Sequence, residues 1–228
     1  MSDSPFEKGW WGIELPGARP CDGTYCFFDY ESLPPLNESL FRGEFQWLTE
    51  LDNSVEEMMA VHRAPDDEDE DEDEEQDMAD TLVLLREEAA QTNIVLPPEF
   101  IRFMGNLVWR RAIPSCTACE FDLGELVPSV IEEGAYTLLF LRDQQDVLLW
   151  YLYLTPDGEY RVICSPIPFD DADIDEPVHV IKAHTLIVAP SFEAFLYRFW
   201  IENRIWFALE EGDGGLTAAQ QAYVDHYL

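Results

Sequence analysis

A run of acidic residues near the end of the first third of the chain sets the strongest limit on how the chain can fold. The stretch from Asp66 to Asp77 reads DDEDEDEDEEQD, and eleven of its residues are aspartate or glutamate. Like charges at this density repel one another and leave no apolar face to bury, so the run is predicted to be an extended, solvated loop. The chain is therefore expected to divide into residues 1–64, an acidic loop at 65–79 and a domain at 80–228.

The acidity extends beyond this run. Thirteen Lys and Arg residues face 47 Asp and Glu residues, a net charge of −34. Outside the run, 36 acids still oppose the same 13 basic residues, which leaves −23. Such a surface repels phosphate backbones and anionic lipid, so we expect neither nucleic-acid nor membrane binding. It favours a basic protein as the partner, and the 47% hydrophobic content excludes global disorder.

The sequence predicts a cytoplasmic location. It has no apolar stretch of the roughly 18 residues that a membrane span needs, and its first residues do not resemble a secretory signal. Five cysteines, an odd number, do not indicate a disulfide framework, so the thiols are expected to be reduced.

The N-terminal part is predicted to be an aromatic arm followed by helices, packed on the core. The arm is expected to be irregular or short-stranded and to bury Trp10, Trp11, Phe27 and Phe28. Residues that share one helical face follow it: Phe41, Phe45, Leu48, Val55 and Met59. Ser54 and Glu57 form a capping-box pattern that predicts a second helix start.

After the acidic run, the pattern predicts helices and then strands. Apolar spacing indicates a helix from Met78 to about Thr92, ended by Asn93, and a second helix opened by Pro97 or Pro98. The apolar face of this second helix is expected to comprise Phe100, Phe103 and Leu107.

The following hundred residues have the composition of a β-sheet. Four strands are predicted: Tyr136–Leu141, Val147–Leu154, Tyr160–Cys164 and His184–Val188. Pro156-Asp157-Gly158 is a turn signal between two of them. A long helix from Phe192 to Leu209 and a short terminal helix opened by Thr217 complete the chain. The order of elements predicts an α+β fold, an antiparallel meander with one face covered by helices.

The sequence contains no established catalytic motif, and no cofactor is expected. Cys116-Thr-Ala-Cys119 has the spacing of half a zinc site or of a redox pair, but also that of two ordinary half-buried thiols. Asp171, Asp173 and Asp175 alternate as in the start of a calcium-binding EF-hand. Glu176 and Lys182, however, stand where that loop needs glycine and a bidentate glutamate. The three aspartates are therefore expected to form a second acidic loop.

Three segments resemble the SUKH superfamily, which includes bacterial toxin-immunity proteins and fungal regulators of cell-wall synthesis. They are LPPEFIRFM from Leu96 to Met104, LYLTPDG from Leu152 to Gly158, and APSFEAFLYRFWIEN from Ala189 to Asn203. The resemblance covers roughly Thr81 to Leu209. It implies an α+β domain that binds proteins and has no known catalytic residues, and many bacterial members neutralise a cognate toxin.

We therefore predict a non-catalytic protein-binding module, an immunity protein that neutralises a basic toxin such as a nuclease through its acidic surface. The predicted partner-binding residues are the acids of the two acidic segments: Asp66, Asp67, Glu68, Asp69, Glu70, Asp71, Glu72, Asp73, Asp171, Asp173 and Asp175. One alternative is a regulatory scaffold without a toxin, in which the acidic run aids solubility or screens Arg102, Arg110 and Arg111. Another is a metal-assisted enzyme that uses Cys116 and Cys119 or the Asp171–Asp175 cluster.

Overall fold

The computed structural model describes residues 5–49, 68–169, 176–210 and 215–228. The strands are β1 (Glu7–Gly12), β2 (Cys26–Asp29), β3 (Cys119–Glu120), β4 (Leu126–Pro128), β5 (Tyr136–Asp143), β6 (Leu149–Leu154), β7 (Tyr160–Ser165) and β8 (Leu186–Ala189). The helices are α1 (Gln46–Thr49), α2 (Glu68–Thr92), α3 (Pro98–Met104), α4 (Leu107–Arg111), α5 (Val178–His184), α6 (Phe192–Glu210) and α7 (Ala218–Asp225). The fold is α+β, as the sequence predicts.

The strands form one mixed sheet in the order β2-β1-β8-β7-β6-β5-β3, with β4 also paired to β5. Strands β5 to β8 pair antiparallel in sequence order, which confirms the predicted meander. Strand β1 adds to it by pairing parallel with β8, so the N-terminal segment belongs to the same sheet. The fourth predicted strand began too early, because His184 ends helix α5 and β8 starts at Leu186.

Both faces of the sheet are covered, although coverage of one face was expected. Helices α2, α3 and α6 pack on one face, through side chains such as Phe100 and Phe195. A second apolar cluster covers the opposite face. It includes Phe6, Phe169 and, from helix α5, Ile181. Burial on both faces explains why β6 is an uninterrupted apolar run that lacks the alternation of a half-exposed strand.

The acidic run is helical from Glu68 onwards, so the predicted extended loop is wrong for Glu68–Asp77, while Asp66 and Asp67 lie outside the described residues. Two effects oppose the charge repulsion. The positive end of the helix dipole favours acids in the first turns, and glutamate has a good intrinsic helix propensity. The predicted end of this helix is confirmed, since Asn93 has a φ of 57°.

Helix α3 begins at Pro98 and buries Phe100 and Phe103, as predicted. It ends at Met104, and Leu107 opens the separate helix α4, which corrects the assignment of Leu107 to the same face. The Asn106 side chain caps α4 by accepting a hydrogen bond of 2.9 Å from the backbone N–H of Trp109.

The N-terminal arm is short-stranded, as predicted, but only part of its aromatic set is buried. Trp10 is buried and Trp11 and Phe28 are half-buried, whereas Phe27 on the edge strand β2 is 52% exposed. The helical segment predicted after Asn37 is represented by the short helix α1. Its predicted continuation, with Val55, Met59 and the Ser54–Glu57 capping box, lies outside the described residues.

A buried ion pair joins the arm to helix α6. The guanidinium of Arg19 donates to both carboxylate oxygens of Glu202 at 2.7 Å. Glu202 also accepts hydrogen bonds from Trp10 Nε1 at 2.9 Å and from the hydroxyl of Tyr223 in helix α7 at 2.7 Å. Burial opposes ionisation of Glu202, but the Arg19 charge and these donors outweigh it and lower the pKa of the carboxyl. The Glu202 carboxylate therefore links both the N-terminal arm and the C-terminal helix α7 to helix α6.

Cys21 and Cys26 form a disulfide with a Cα–Cα distance of 5.7 Å, so the expectation that all thiols are reduced is wrong for this pair. The odd cysteine count was misleading because Cys116, Cys119 and Cys164 stay free. None of the helices in the described ranges combines the length and apolarity that a membrane crossing requires.

Candidate protein-binding surface

Helix α2 packs against the core with one apolar face and carries two further apolar side chains that are exposed to solvent. Leu82, Leu85 and Ala89 are buried against the core. Val83 and Leu84 point away from this face and are 51% and 66% exposed. Exposed apolar side chains on a docked helix are available as contact points for a partner.

Four acids in the N-terminal half of α2 lie on its exposed surface. Glu74, Glu75, Asp77 and Asp80 are all exposed. Asp80 is further positioned by a hydrogen bond of 2.8 Å from the amide of Gln76, one turn earlier. The exposed pair Val83 and Leu84 therefore follows directly after a strongly negative stretch of helix.

A salt-bridge clamp holds the acidic half of α2 against helix α4. Glu74 Oε1 lies 3.0 Å from the buried guanidinium of Arg110, and Glu74 Oε2 lies 2.9 Å from Arg111. Arg110 also donates to the backbone carbonyl of Met104. Partial burial would raise the pKa of Glu74, but the hydrogen bonds from the two arginines prevail and lower it. The clamp fixes the position of the neighbouring acids relative to the body.

An open groove of about 460 Å³ lies between the C-terminal half of α2 and the start of α3. Its lining is almost entirely apolar: Arg86, Ala89, Ala90, Ile94, Val95, Leu96, Pro98 and Ile101. Val95 is 61% exposed at its edge. We call this site the α2–α3 groove. It offers an apolar recess beside an acidic helix.

The predicted partner-binding acids are only partly described. Glu68, Asp69, Glu70, Asp71, Glu72 and Asp73 lie on the first turns of helix α2. Asp66, Asp67, Asp171, Asp173 and Asp175 lie outside the described residues. The acids that the structure does place on the surface, Glu75 and Asp80 among them, follow the predicted set in sequence.

The two cysteines of the C-x-x-C pair are half-buried, with Cys116 in the loop before β3 and Cys119 as the first residue of β3. Burial raises the pKa of the Cys116 thiol to about 12 and also raises the pKa of Cys119. Both are therefore protonated at neutral pH, whereas a reactive redox pair needs a thiolate. In the ranges that the structure covers, no three His, Cys, Asp or Glu side chains are grouped so as to hold a metal ion.

Cys119 belongs to a small polar cluster at the β3–β5 edge. The Tyr25 hydroxyl donates to Asp143 at 2.7 Å and lies 2.8 Å from Thr117 Oγ1 and 3.3 Å from Cys119 Sγ. Burial is the main reason that the pKa of Tyr25 is raised. A protonated phenol that donates to a buried carboxylate fits a role in attaching the arm to the sheet.

Sequence reasoning missed the exposed pair on α2 and the groove beside it. The signal was present, because Val83 and Leu84 are apolar yet lie off the stripe that places Leu82, Leu85 and Ala89 in the core. An apolar pair outside the buried stripe of a helix is a candidate contact surface when an apolar groove lies beside it. The groove itself depends on how α3 turns back on α2, which spacing does not reveal.

Comparison with protein-family models, curated proteins and solved structures finds no match to this chain.

Proposed function

We propose that this protein is a non-catalytic binding module that recognises a basic protein through helix α2. Within this proposal it is an immunity protein of the SUKH type, and its partner is a toxin such as a nuclease. The observation that carries the proposal is the Glu74 clamp to Arg110 and Arg111, which holds a dense acidic surface on a fixed scaffold. An acidic segment that only aids solubility has no need of a fixed position.

The physical roles of charge and apolar contact differ in such a complex. The net charge of −34 accelerates the approach of a cationic protein. Physiological salt screens this attraction beyond about 8 Å, so charge acts mainly on the association rate. Buried anchors set the lifetime of the complex, and Val83 and Leu84 are in position to supply them. A nuclease inhibited this way would lose the basic surface with which it holds phosphates.

A regulatory scaffold without a toxin is the second candidate. The clamp also supports it, because Glu74 pairs with both Arg110 and Arg111, two of the three arginines that the acidic run was expected to screen. The third, Arg102, donates to the backbone carbonyl of Gly43 instead. In this case α2 would bind no cationic partner, and neutralising its exposed acids would leave every complex intact.

The cytoplasmic location is also part of the proposal. The Cys21–Cys26 disulfide argues against it, because disulfides are rare in a reducing cytoplasm. Alkylation of the protein in freshly lysed source cells, followed by mass spectrometry, decides the point. Two protected cysteines would contradict a cytoplasmic location, and five alkylated ones would support it.

The test of the proposal is affinity capture from source-cell lysate with three versions of the protein. The face variant carries Glu75→Gln, Asp77→Asn and Asp80→Asn. The control variant removes the same charge from three exposed acids elsewhere, Glu14→Gln, Glu31→Gln and Glu38→Gln. A basic protein retained by the wild type and the control but lost by the face variant supports binding through α2. Equal retention by all three would contradict it.

A further inference from the structure

One exposed stripe of α2 changes from acidic to basic along its length. Glu75, Ala79, Val83, Arg86 and Ala90 are all exposed and occur at positions i, i+4, i+8, i+11 and i+15. At 3.6 residues per turn, this spacing keeps them on one side of the helix. The stripe begins with the carboxylate of Glu75, continues with Ala79 and Val83, and then carries the guanidinium of Arg86 beside the α2–α3 groove, before Ala90.

Arg86 is the unusual member of this stripe. Within the described part of the chain it takes part in no hydrogen bond or ion pair, although acids outnumber bases in the sequence by 47 to 13. The helix itself explains this. The positions three and four residues away hold Leu82, Val83, Ala89 and Ala90, which provide no carboxylate partner. An unpaired cation therefore borders an apolar recess.

We propose that the stripe and the α2–α3 groove together bind an amphipathic helix of the basic partner, and that Arg86 fixes its register. The partner helix places a Lys or Arg against Glu75, apolar side chains on Val83 and in the groove, and a carboxylate on Arg86. This inference rests on the proposed function and specifies the segment that the partner must present.

Helix geometry sets the spacing of that segment. Eleven residues separate Glu75 from Arg86, which at 1.5 Å per residue is about 16 Å. A partner helix packed along α2 spans the same distance with eleven residues of its own. An antiparallel arrangement puts its acid near its N-terminus and its base near its C-terminus, where each is favoured by the dipole of the partner helix.

Two stapled helical peptides with blocked termini serve as probes. The acid peptide carries a Glu in its first turn, Leu residues in the middle and a Lys eleven residues after the Glu. The neutral peptide differs only by Gln in place of that Glu. The overall field of the protein disfavours the acid peptide, because its extra charge is negative. A preference for the acid peptide therefore requires a local cation.

Titrations followed by heteronuclear NMR measure the affinity of each peptide. We expect the wild type to bind the acid peptide about fivefold more tightly, as for one partly exposed ion pair. Arg86→Gln should abolish this preference, while Arg161→Gln, which removes the same charge outside the stripe, should keep it. Amide signals of Ala90, Val95 and Ile101 should shift with the acid peptide.

Equal or weaker binding of the acid peptide by the wild type would overturn the role of Arg86 and the groove. The proposed function would survive that result if both peptides lost affinity for the face variant. Binding of neither peptide would also overturn the inference. The capture experiment would still decide whether α2 holds a basic protein, so the two failures are distinguishable.

Discussion

The buried Glu202 carboxylate offers the sharpest test of how this fold is held together. Glu202 and Arg19 are 2% and 3% exposed, and the arginine lies across both carboxylate oxygens at 2.7 Å. Replacing Glu202 by Gln keeps the shape but removes the charge that compensates Arg19. The amide group of Gln would also oppose one of the other donors, Trp10 Nε1 or the Tyr223 hydroxyl.

Leaving one member of a buried ion pair uncompensated costs about 3–5 kcal/mol of unfolding free energy. For a chain of this size, each kcal/mol lowers the melting temperature by about 2–4 °C. Glu202→Gln should therefore lower it by about 10 °C. The double variant Arg19→Met with Glu202→Leu should be less destabilised than Glu202→Gln, because apolar replacement of both partners removes the desolvation cost.

Urea unfolding followed by tryptophan fluorescence and by circular dichroism measures these differences. The pH dependence of the unfolding free energy provides a second test of the Arg19–Glu202 ion pair. Because the folded pKa of Glu202 is lowered, its contribution is complete above the ordinary value of 4.5 and is lost as pH falls through the folded value. In Glu202→Gln this part of the acid sensitivity should disappear. A loss of less than about 1 kcal/mol for Glu202→Gln would refute the argument that this pair fastens the chain ends.

Further predictions concern the Glu74 clamp, the Tyr25 hydroxyl and the two half-buried cysteines. Glu74→Gln should cost only about 1 kcal/mol, because its side chain is 48% exposed, but should speed hydrogen exchange in the first turns of α2 relative to Glu75→Gln. The same clamp should weaken as pH falls below 4.5, since the folded pKa of Glu74 is lowered. Tyr25→Phe should destabilise the protein by about 1–3 kcal/mol by leaving the buried Asp143 carboxylate short of a donor, as judged by urea unfolding. Cys116 and Cys119 should react with a thiol reagent at pH 7 far more slowly in the native than in the unfolded protein, since burial raises both pKa values; equal rates would contradict this.

The strands and the long helix were predictable because their signals are local. Continuous apolar runs bounded by Pro156–Gly158 locate β6 and β7, and Gly158 adopts the positive φ of 83° that the turn requires. Ser191 Oγ accepts from the backbone N–H of Ala194 at 3.3 Å, as expected for the start of α6. Patterns of this kind are decided within a few residues, so tertiary contacts do not override them.

What the sequence did not reveal depends on contacts between distant segments. The acidic run was predicted to be a loop because its charges repel one another, and its contact with Arg110 and Arg111 was considered only for the scaffold alternative. In the structure these two arginines of helix α4 pair with Glu74 and stabilise the run as a helix. The α2–α3 groove, which Arg86 borders, exists only because α3 packs beside α2. Pairing of Cys21 with Cys26 likewise requires the arm to fold back on itself.

The central claim is that acids fixed on α2 draw a basic protein into a complex. Its most direct test is the association rate of the captured partner, measured by stopped-flow fluorescence at low and at high salt. We predict that the face variant associates about tenfold more slowly than the wild type at low salt and shows a flatter salt dependence, while the control variant behaves like the wild type. Identical association rates for the face variant and the wild type at every salt concentration would contradict the account.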